Sequence, residues 1–471
     1  MNLKRTASFI LLLGVVVGFS IAGIAFLDSP EREESRIVVD PRFGKQEPNI
    51  VHDPRIDSLL GEVASDFLAR SNYQSLSCSI MYKNSDGSWT SGGYREHDLR
   101  YPASVAKLAA LPGMLMFLRQ AEEEKAIQLE NDLPRVFKES DNEAFGRLID
   151  LVTGTENYVA ESYDNSRFDS WFEKRSWFEK VLDSYGLLEN QKLRMKTYPS
   201  NESDMPRGAE GYGFEMYGGN RLRTDLSNTL MLHLTQGYIE PEYTEIVRSL
   251  LWSERLSYLN IISFALPPGV EVYNKVGFGV GRYADTAWVV MPNGKEFILS
   301  VSAIVSEMST SYDPMHTQQA ILSVYTRRIL EELEILNHQT RFAYPANGNK
   351  NSAWRKTGED SLFPTLVKNA DGVIDTLDFE FKNIEEGEYE LIYSYAGLDK
   401  GITNANLSAY LDKNGEGFDR YTINLSHPGN RWFRLGVVKL PAGNITFRLS
   451  QSEEEPGFQV GLSAVGLSKL P

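Results

Sequence analysis

Cysteine is nearly absent: Cys78 is the only one in 471 residues, so the chain has no internal disulfide. It lies in an alternating, strand-like run over 76–82, where a buried thiol is the expected role. The six histidines are scattered without ligand spacing and no glycine-rich phosphate loop occurs, so no metal site and no cofactor are expected. Positive charge is in deficit, 48 Lys and Arg against 64 Asp and Glu, and the net charge of −16 argues against a nucleic-acid partner. The acidic residues are dispersed, as on a solvated surface.

Apolar side chains make up 42% of the chain and aromatics 11%, a globular composition, and the length exceeds what one ordinary core organises. Lys4 and Arg5 precede an uncharged run, 9–27, which as a helix is about 28 Å long. Residues 1–27 therefore read as an N-terminal membrane anchor or signal segment. The length favours an uncleaved anchor, while Gly23 and Ala25 offer a small-residue cleavage pattern. The preceding positive charges orient it with the remainder outside the cytoplasm, so the protein is expected to be exported. No cysteine near its end allows a cysteine-linked lipid. Residues 28–53, polar and proline-bearing, read as a linker.

The most informative stretch is Pro102-Ala103-Ser104-Val105-Ala106-Lys107. Leu108, Leu111, Leu115 and Leu118 recur at helical spacing, so a helix starting near Ala103 sets Ser104 and Lys107 at i and i+3 on one face. A serine hydroxyl becomes a nucleophile when a base takes its proton, and a lysine with a lowered pKa can serve. Alone, such a pair occurs often by chance. Two later stretches accompany it, Ser140-Asp141-Asn142 before a helical apolar run and Lys275-Val276-Gly277 closing a β-rich run. In this order the three resemble the signature of the penicillin-recognising serine hydrolases, the class A β-lactamases and penicillin-binding proteins. The resemblance covers roughly 55–335.

It implies that Ser104 is the nucleophile, Lys107 its base or part of the proton relay, Ser140 the group that passes a proton to the leaving nitrogen, and Lys275 a second ammonium nearby. It further implies that Asn142 holds the substrate amide, and that the backbone N–H groups of Ser104 and Phe278, beside Gly277, receive the oxyanion. Asp141 reads as a helix cap.

The periodicities give a helix over 56–68, strands over 77–82 and near Trp89, the serine helix, and an inserted helical block. Strands at 270–276, 286–291 and 297–305 and a closing helix over about 315–336 follow. The expected class is α/β: an antiparallel five-stranded β-lactamase-like sheet flanked by helices, with an all-helical subdomain, over 54–337. The region 154–218 is long and aromatic and repeats Ser-Trp-Phe-Glu-Lys at 170–174 and 176–180. Residues 338–360 read as a linker. Short alternating runs separated by Gly, Pro and Asn over 361–471 read as an all-β sandwich, whose phrases around Gly387 and Trp432 resemble jelly-roll domains attached to wall enzymes. Cell-wall glycan is one partner that this suggests; Trp432 in a core is the alternative.

Two departures bear on function. Val276 stands where the family usually carries a hydroxyl, a loss that Arg282 could offset. No Glu-x-x-Leu-Asn phrase, the usual source of the water-activating glutamate, occurs between Ser140 and Lys275; Glu173 and Glu179 fall near that place and read as surface charges. Three readings follow: an exported serine hydrolase acting on a β-lactam or similar amide or ester, a peptidoglycan D-alanyl-D-alanine peptidase, and a non-catalytic wall-binding protein. The substrate is accordingly a small molecule or a peptidoglycan fragment.

Overall fold

The computed structural model describes residues 37–71, 73–156, 165–198, 206–253, 260–266, 270–279, 281–305 and 312–336. It also describes 341–343, 355–357, 365–369, 376–394, 406–413, 416–424, 432–451, 459–462 and 464–469. The apolar run at 9–27 lies outside these. Among the described residues no helix is long and apolar enough to cross a membrane.

A short strand β1 (Ile50–His52) leads into helix α1 (Pro54–Arg70), and β2 (Tyr73–Lys83) and β3 (Trp89–Tyr94) form a hairpin. Asp53 caps α1 by accepting the Arg55 N–H at 2.9 Å, and Pro54 supplies a helical φ at the first position. A 3-10 turn over Ala103–Val105 runs into α2 (Ala106–Gln120), followed by α3 (Glu123–Lys138) and α4 (Asn142–Thr153). Then come α5 (Asn165–Arg175), α6 (Trp177–Ser184), α7 (Gly208–Tyr217), α8 (Thr224–Thr235) and α9 (Thr244–Leu251). The two copies of the pentapeptide repeat fall on α5 and on the start of α6, and Phe168, Trp171 and Ala209 form a small apolar cluster there.

Strands β4 (Glu271–Gly279), β5 (Arg282–Val290) and β6 (Glu296–Val305) complete a sheet of order β1-β3-β2-β6-β5-β4, and α10 (Tyr312–Glu332) closes the unit. The sheet has six strands where five were expected. The sixth, β1, pairs parallel to β3 and comes from the stretch read as a linker; its Ile50 and Val51 sit just before the Asp53-Pro54 helix start. The core between the sheet and helices α1 and α10 includes Leu60, Phe67, Ile80, Leu299, Tyr325 and Ile329. Cys78 is fully buried in it, with its sulfur 3.1 Å from the Tyr325 hydroxyl, and burial pushes the thiol up to about 12.

The C-terminal strands are β7 (Arg341–Ala343), β8 (Arg355–Thr357), β9 (Thr365–Asn369), β10 (Thr376–Ile384), β11 (Gly387–Ser394) and β12 (Asn406–Lys413). They continue with β13 (Glu416–Asn424), β14 (Trp432–Leu440), β15 (Gly443–Gln451), β16 (Gln459–Leu462) and β17 (Ala464–Lys469). They form two four-stranded sheets, β10-β15-β12-β13 and β14-β11-β17-β7, and a three-stranded one. Alternating residues such as Phe379, Phe381, Leu391, Ile445, Phe447 and Leu467 are buried, as a β domain requires. The side chain of Trp432 lies outside the described set.

Candidate active site

Three segments distant in sequence converge at the N-terminus of α2. Pro102, with helical backbone angles, leads into the Ser104 turn, and Ala103 is held at φ 45°, a left-handed conformation uncommon for alanine. The turn leaves Ser104 partly exposed while Lys107, in the first turn of α2, is fully buried. Ser140 also has a left-handed φ, 57°, just before α4, whose cap Asp141 accepts the Glu143 and Ala144 N–H groups at 2.8 and 3.0 Å. That cap fixes the start of α4 and, with it, Asn142. β4 is the edge strand beside the turn and contributes Lys275.

The Lys107 amine sits 3.2 Å from Ser104 Oγ, 2.5 Å from the Ser140 carbonyl oxygen, 3.3 Å from Ser140 Oγ and 2.7 Å from Asn142 Oδ1. Lys275 Nζ donates to Ser140 Oγ at 2.9 Å and to the Val276 carbonyl at 3.2 Å. Burial holds the Lys107 amine well below its ordinary value, and the charge of Lys275 adds to the effect. Burial lowers Lys275 to about 8, against the attraction of Asp285. A neutral lysine has two N–H donors and one lone pair. The two nearest atoms, the Ser140 carbonyl and Asn142 Oδ1, can only accept, so they take the two donors and leave the lone pair for the serine hydroxyls.

Gly277 passes so close to the turn that a Cβ there would lie 2.7 Å from both Pro102 O and Ser104 N and 2.9 Å from Val105 N. Only a residue without a side chain lets β4 run this near the Ser104 amide. Phe278 follows at a partly exposed position. Val276, between Lys275 and Gly277, is buried in the main core, so the side chain lacking a hydroxyl is spent on packing.

Of the two glutamates, Glu173 is an exposed partner of Lys180 at 2.5 Å, as expected of a surface charge. Glu179 is not a surface charge. It is 7% exposed, accepts the Leu193 N–H at 3.1 Å and Arg194 Nε at 2.6 Å, and bonds the Tyr217 hydroxyl, so it anchors the 193–194 stretch. The Thr197 hydroxyl donates to Asn142 Oδ1 at 2.9 Å.

Two site residues, Arg221 and Asp285, escaped sequence reasoning. Arg221 and Arg282 place their guanidinium carbons 6.0 and 5.8 Å from the Tyr101 ring, three residues before Ser104; Arg221 carries no motif. Asp285, fully buried, accepts the Ile261 and Ile262 N–H groups at 3.1 and 2.9 Å and the Asn274 amide at 3.0 Å, tying the strand next to Lys275 to the preceding loop. Its signal was legible: a carboxylate amid an apolar strand needs partners.

Residues 113–323 match the model of the Beta-lactamase enzyme family, a stretch that holds Ser140, Asn142 and Lys275 and begins after Ser104 and Lys107. A curated relative, "Golvesin" of Dictyostelium discoideum, is 27% identical over 338 residues, covering 69% of this chain; the match spans 57% of that protein's length. Among solved structures, PBP-A is 16% identical with TM-score 0.40, covering 62% of this chain and 100% of that one. The β-lactamase from Sphaerobacter thermophilus is 16% identical with TM-score 0.42, over 59% and 98% of the two chains. The class A β-lactamase from Mycobacterium abscessus is 15% identical with TM-score 0.41, over 59% and 99%. The Ser-x-x-Lys, Ser-Asp-Asn and Lys-Val-Gly segments thus meet at one site, in a β-lactamase-like domain that over 113–323 is similar to the Beta-lactamase enzyme family.

Proposed function

We propose that this chain is a serine hydrolase acylated on Ser104 by the carbonyl of an amide or ester. The observation that carries the reading is a buried amine, Lys107, 3.2 Å from the hydroxyl of a partly exposed serine, with burial holding its pKa well below the ordinary lysine value. In the proposed step Ser104 Oγ bonds to the carbonyl carbon and its proton passes to Lys107 Nζ. The oxyanion lies against the N–H groups of Ser104 and Phe278, which the close pass of Gly277 brings together. Ser140 gives its proton to the leaving nitrogen and regains one from Lys107, and the C–N bond breaks to release the amine. Lys275 holds Ser140 and, with Arg221 and Arg282, supplies positive charge for a substrate carboxylate.

A second reading, a D-alanyl-D-alanine peptidase, is favoured over β-lactam turnover by one contact. The oxygen of Asn142 is met by the Thr197 hydroxyl, and a hydroxyl is a far weaker base than a carboxylate. A β-lactam acyl-enzyme would then persist. On either reading the domain over 54–337 works outside the cytoplasm, with residues 1–27 as anchor or signal segment and 361–471 as an accessory sandwich for wall glycan.

Intact mass after incubation with a fluorescent penicillin tests this: one adduct per chain, on the peptide containing Ser104, is expected to outlast many minutes. Absence of any adduct would remove acylation by that substrate class and leave a binding role. Cleavage of a chromogenic cephalosporin, compared with D-alanine release from a pentapeptide, divides the two enzymatic readings.

The acylation rate should trace a bell against pH. Lys107 must lose its proton to act, which sets the acid limb at its lowered pKa; Lys275 must keep its proton, so the rate falls as pH rises through about 8. In Lys275→Arg, whose guanidinium stays charged, the alkaline limb should disappear; an unmoved limb would detach it from Lys275.

A further inference from the structure

Ser140 and Lys275 also line a cleft of about 740 Å³ whose lining does not include Ser104. Its lining comes from the ends of α3 and α9, from Ser140, and from Tyr273 to Val276 of β4. That volume is in the range of pockets for whole small-molecule ligands. Its walls are distinctive. Trp252 is 48% exposed, a large apolar surface left in water, and it bridges to Tyr273 of β4. Tyr273 stacks on Trp288 at 4.6 Å between centroids. The Lys138 amine lies 5.5 Å from the Trp252 ring centroid, and its Nζ donates to the Trp252 carbonyl at 2.6 Å. Arg248 and Glu245, also in the lining, pair at 3.0 Å. With Lys275 included, the lining holds three cationic side chains and one carboxylate, beside the rings of Trp252 and Tyr273.

We propose that this cleft receives the leaving group of the substrate, and that the leaving group is an extended anion with an aromatic or bulky apolar body, of about dipeptide size. The inference rests on the serine-hydrolase reading above, in which the Ser140 hydroxyl protonates the departing nitrogen or oxygen. Whatever is attached to that atom departs past Ser140, which lines this cleft. Rings on Trp252 and Tyr273 suit an aromatic side chain, and Lys138 and Arg248 suit a terminal carboxylate. A free amino acid the size of alanine would leave most of the space to water, so a substrate that fills this cleft is not cleaved at a D-alanyl-D-alanine bond but at one with a larger leaving group.

The test uses the full chain and three esters that share one phenylacetylglycyl acyl group. One has lactate as its leaving group, the second phenyllactyl-glutamate, and the third the same dipeptide analogue with its carboxylates amidated. The rate constant for acylation of Ser104 by each is read by intact mass. The anionic aromatic ester is expected to acylate at least about tenfold faster than the lactate ester, and Trp252→Ala to reduce that ratio about tenfold. Lys138→Glu, an exposed change that keeps the helix, should lower or reverse the preference for the anion over its amidated form. Equal rates with the large and small esters, or ratios unmoved in both variants, would overturn this inference while leaving the nucleophile intact. No acylation by any ester, with the protein folded by circular dichroism, would overturn the serine-hydrolase reading itself and this inference with it.

Discussion

Ser104→Ala is expected to abolish covalent labelling outright, and Lys107→Met to slow it by about a thousandfold or more, with both proteins folded. Removing Ser104 deletes the only atom in the cleft to which an acyl group is proposed to bond. Lys107→Met removes the base, a contribution of about 10² to 10⁴ in known general-base catalysis. The stability of the two variants should differ in character. Ser104 is partly exposed and loses only a contact to the Lys107 amine at 3.2 Å. Lys107 is fully buried, and methionine of similar length fills its volume, but the Ser140 carbonyl and Asn142 Oδ1 lose a donor each. A buried acceptor left without its partner costs about 1 to 3 kcal/mol, partly offset because an amine no longer has to be desolvated. Thermal unfolding beside the labelling rate separates the two effects. A Ser104→Ala protein that still carries an adduct would end the assignment, and a Lys107→Met protein labelled at the wild-type rate would leave Ser104 without its base.

Gly277→Ala should cost both stability and acylation. The added carbon would sit 2.7 Å from the Pro102 carbonyl oxygen and the Ser104 nitrogen, and both are backbone atoms in a turn that already holds Ala103 at a left-handed φ. Backbone cannot swing aside as a flexible side chain can, so β4 or the serine turn must shift. Overpacking of this kind costs about 1 to 3 kcal/mol, which lowers the melting temperature by about 3 to 10 °C. The same displacement separates the Ser104 and Phe278 N–H groups, and loss of one oxyanion donor costs about 3 kcal/mol, near a hundredfold in rate. A variant with wild-type melting and wild-type labelling would show that β4 does not need to run this close.

The sequence by itself determined where the elements lie and which residues could do chemistry. The leucines after Ser104 recur at the spacing of a helix, and the strand runs before 305 are short and rich in β-branched and aromatic residues; both signals are local, although α2, β5 and β6 are buried on every side. Local spacing likewise set Ser104 and Lys107 one turn apart and put Asp141 where a cap is needed. It could not show that Arg221 reaches Tyr101, that Thr197 meets Asn142, or that Glu179 is a buried anchor and not a surface charge. It also read Ile50–His52 as a linker, because three residues cannot announce a strand until β3 is there to pair with them. The decisive property, the lowered pKa of Lys107, belongs to this second group. A lysine's pKa depends on how much water and how much charge surround it, and here both are set by segments 33 and 168 positions further along the chain, Ser140 and Lys275. Only the fold, by closing α4 and β4 over that amine, decides that a common four-residue pattern becomes a reactive serine.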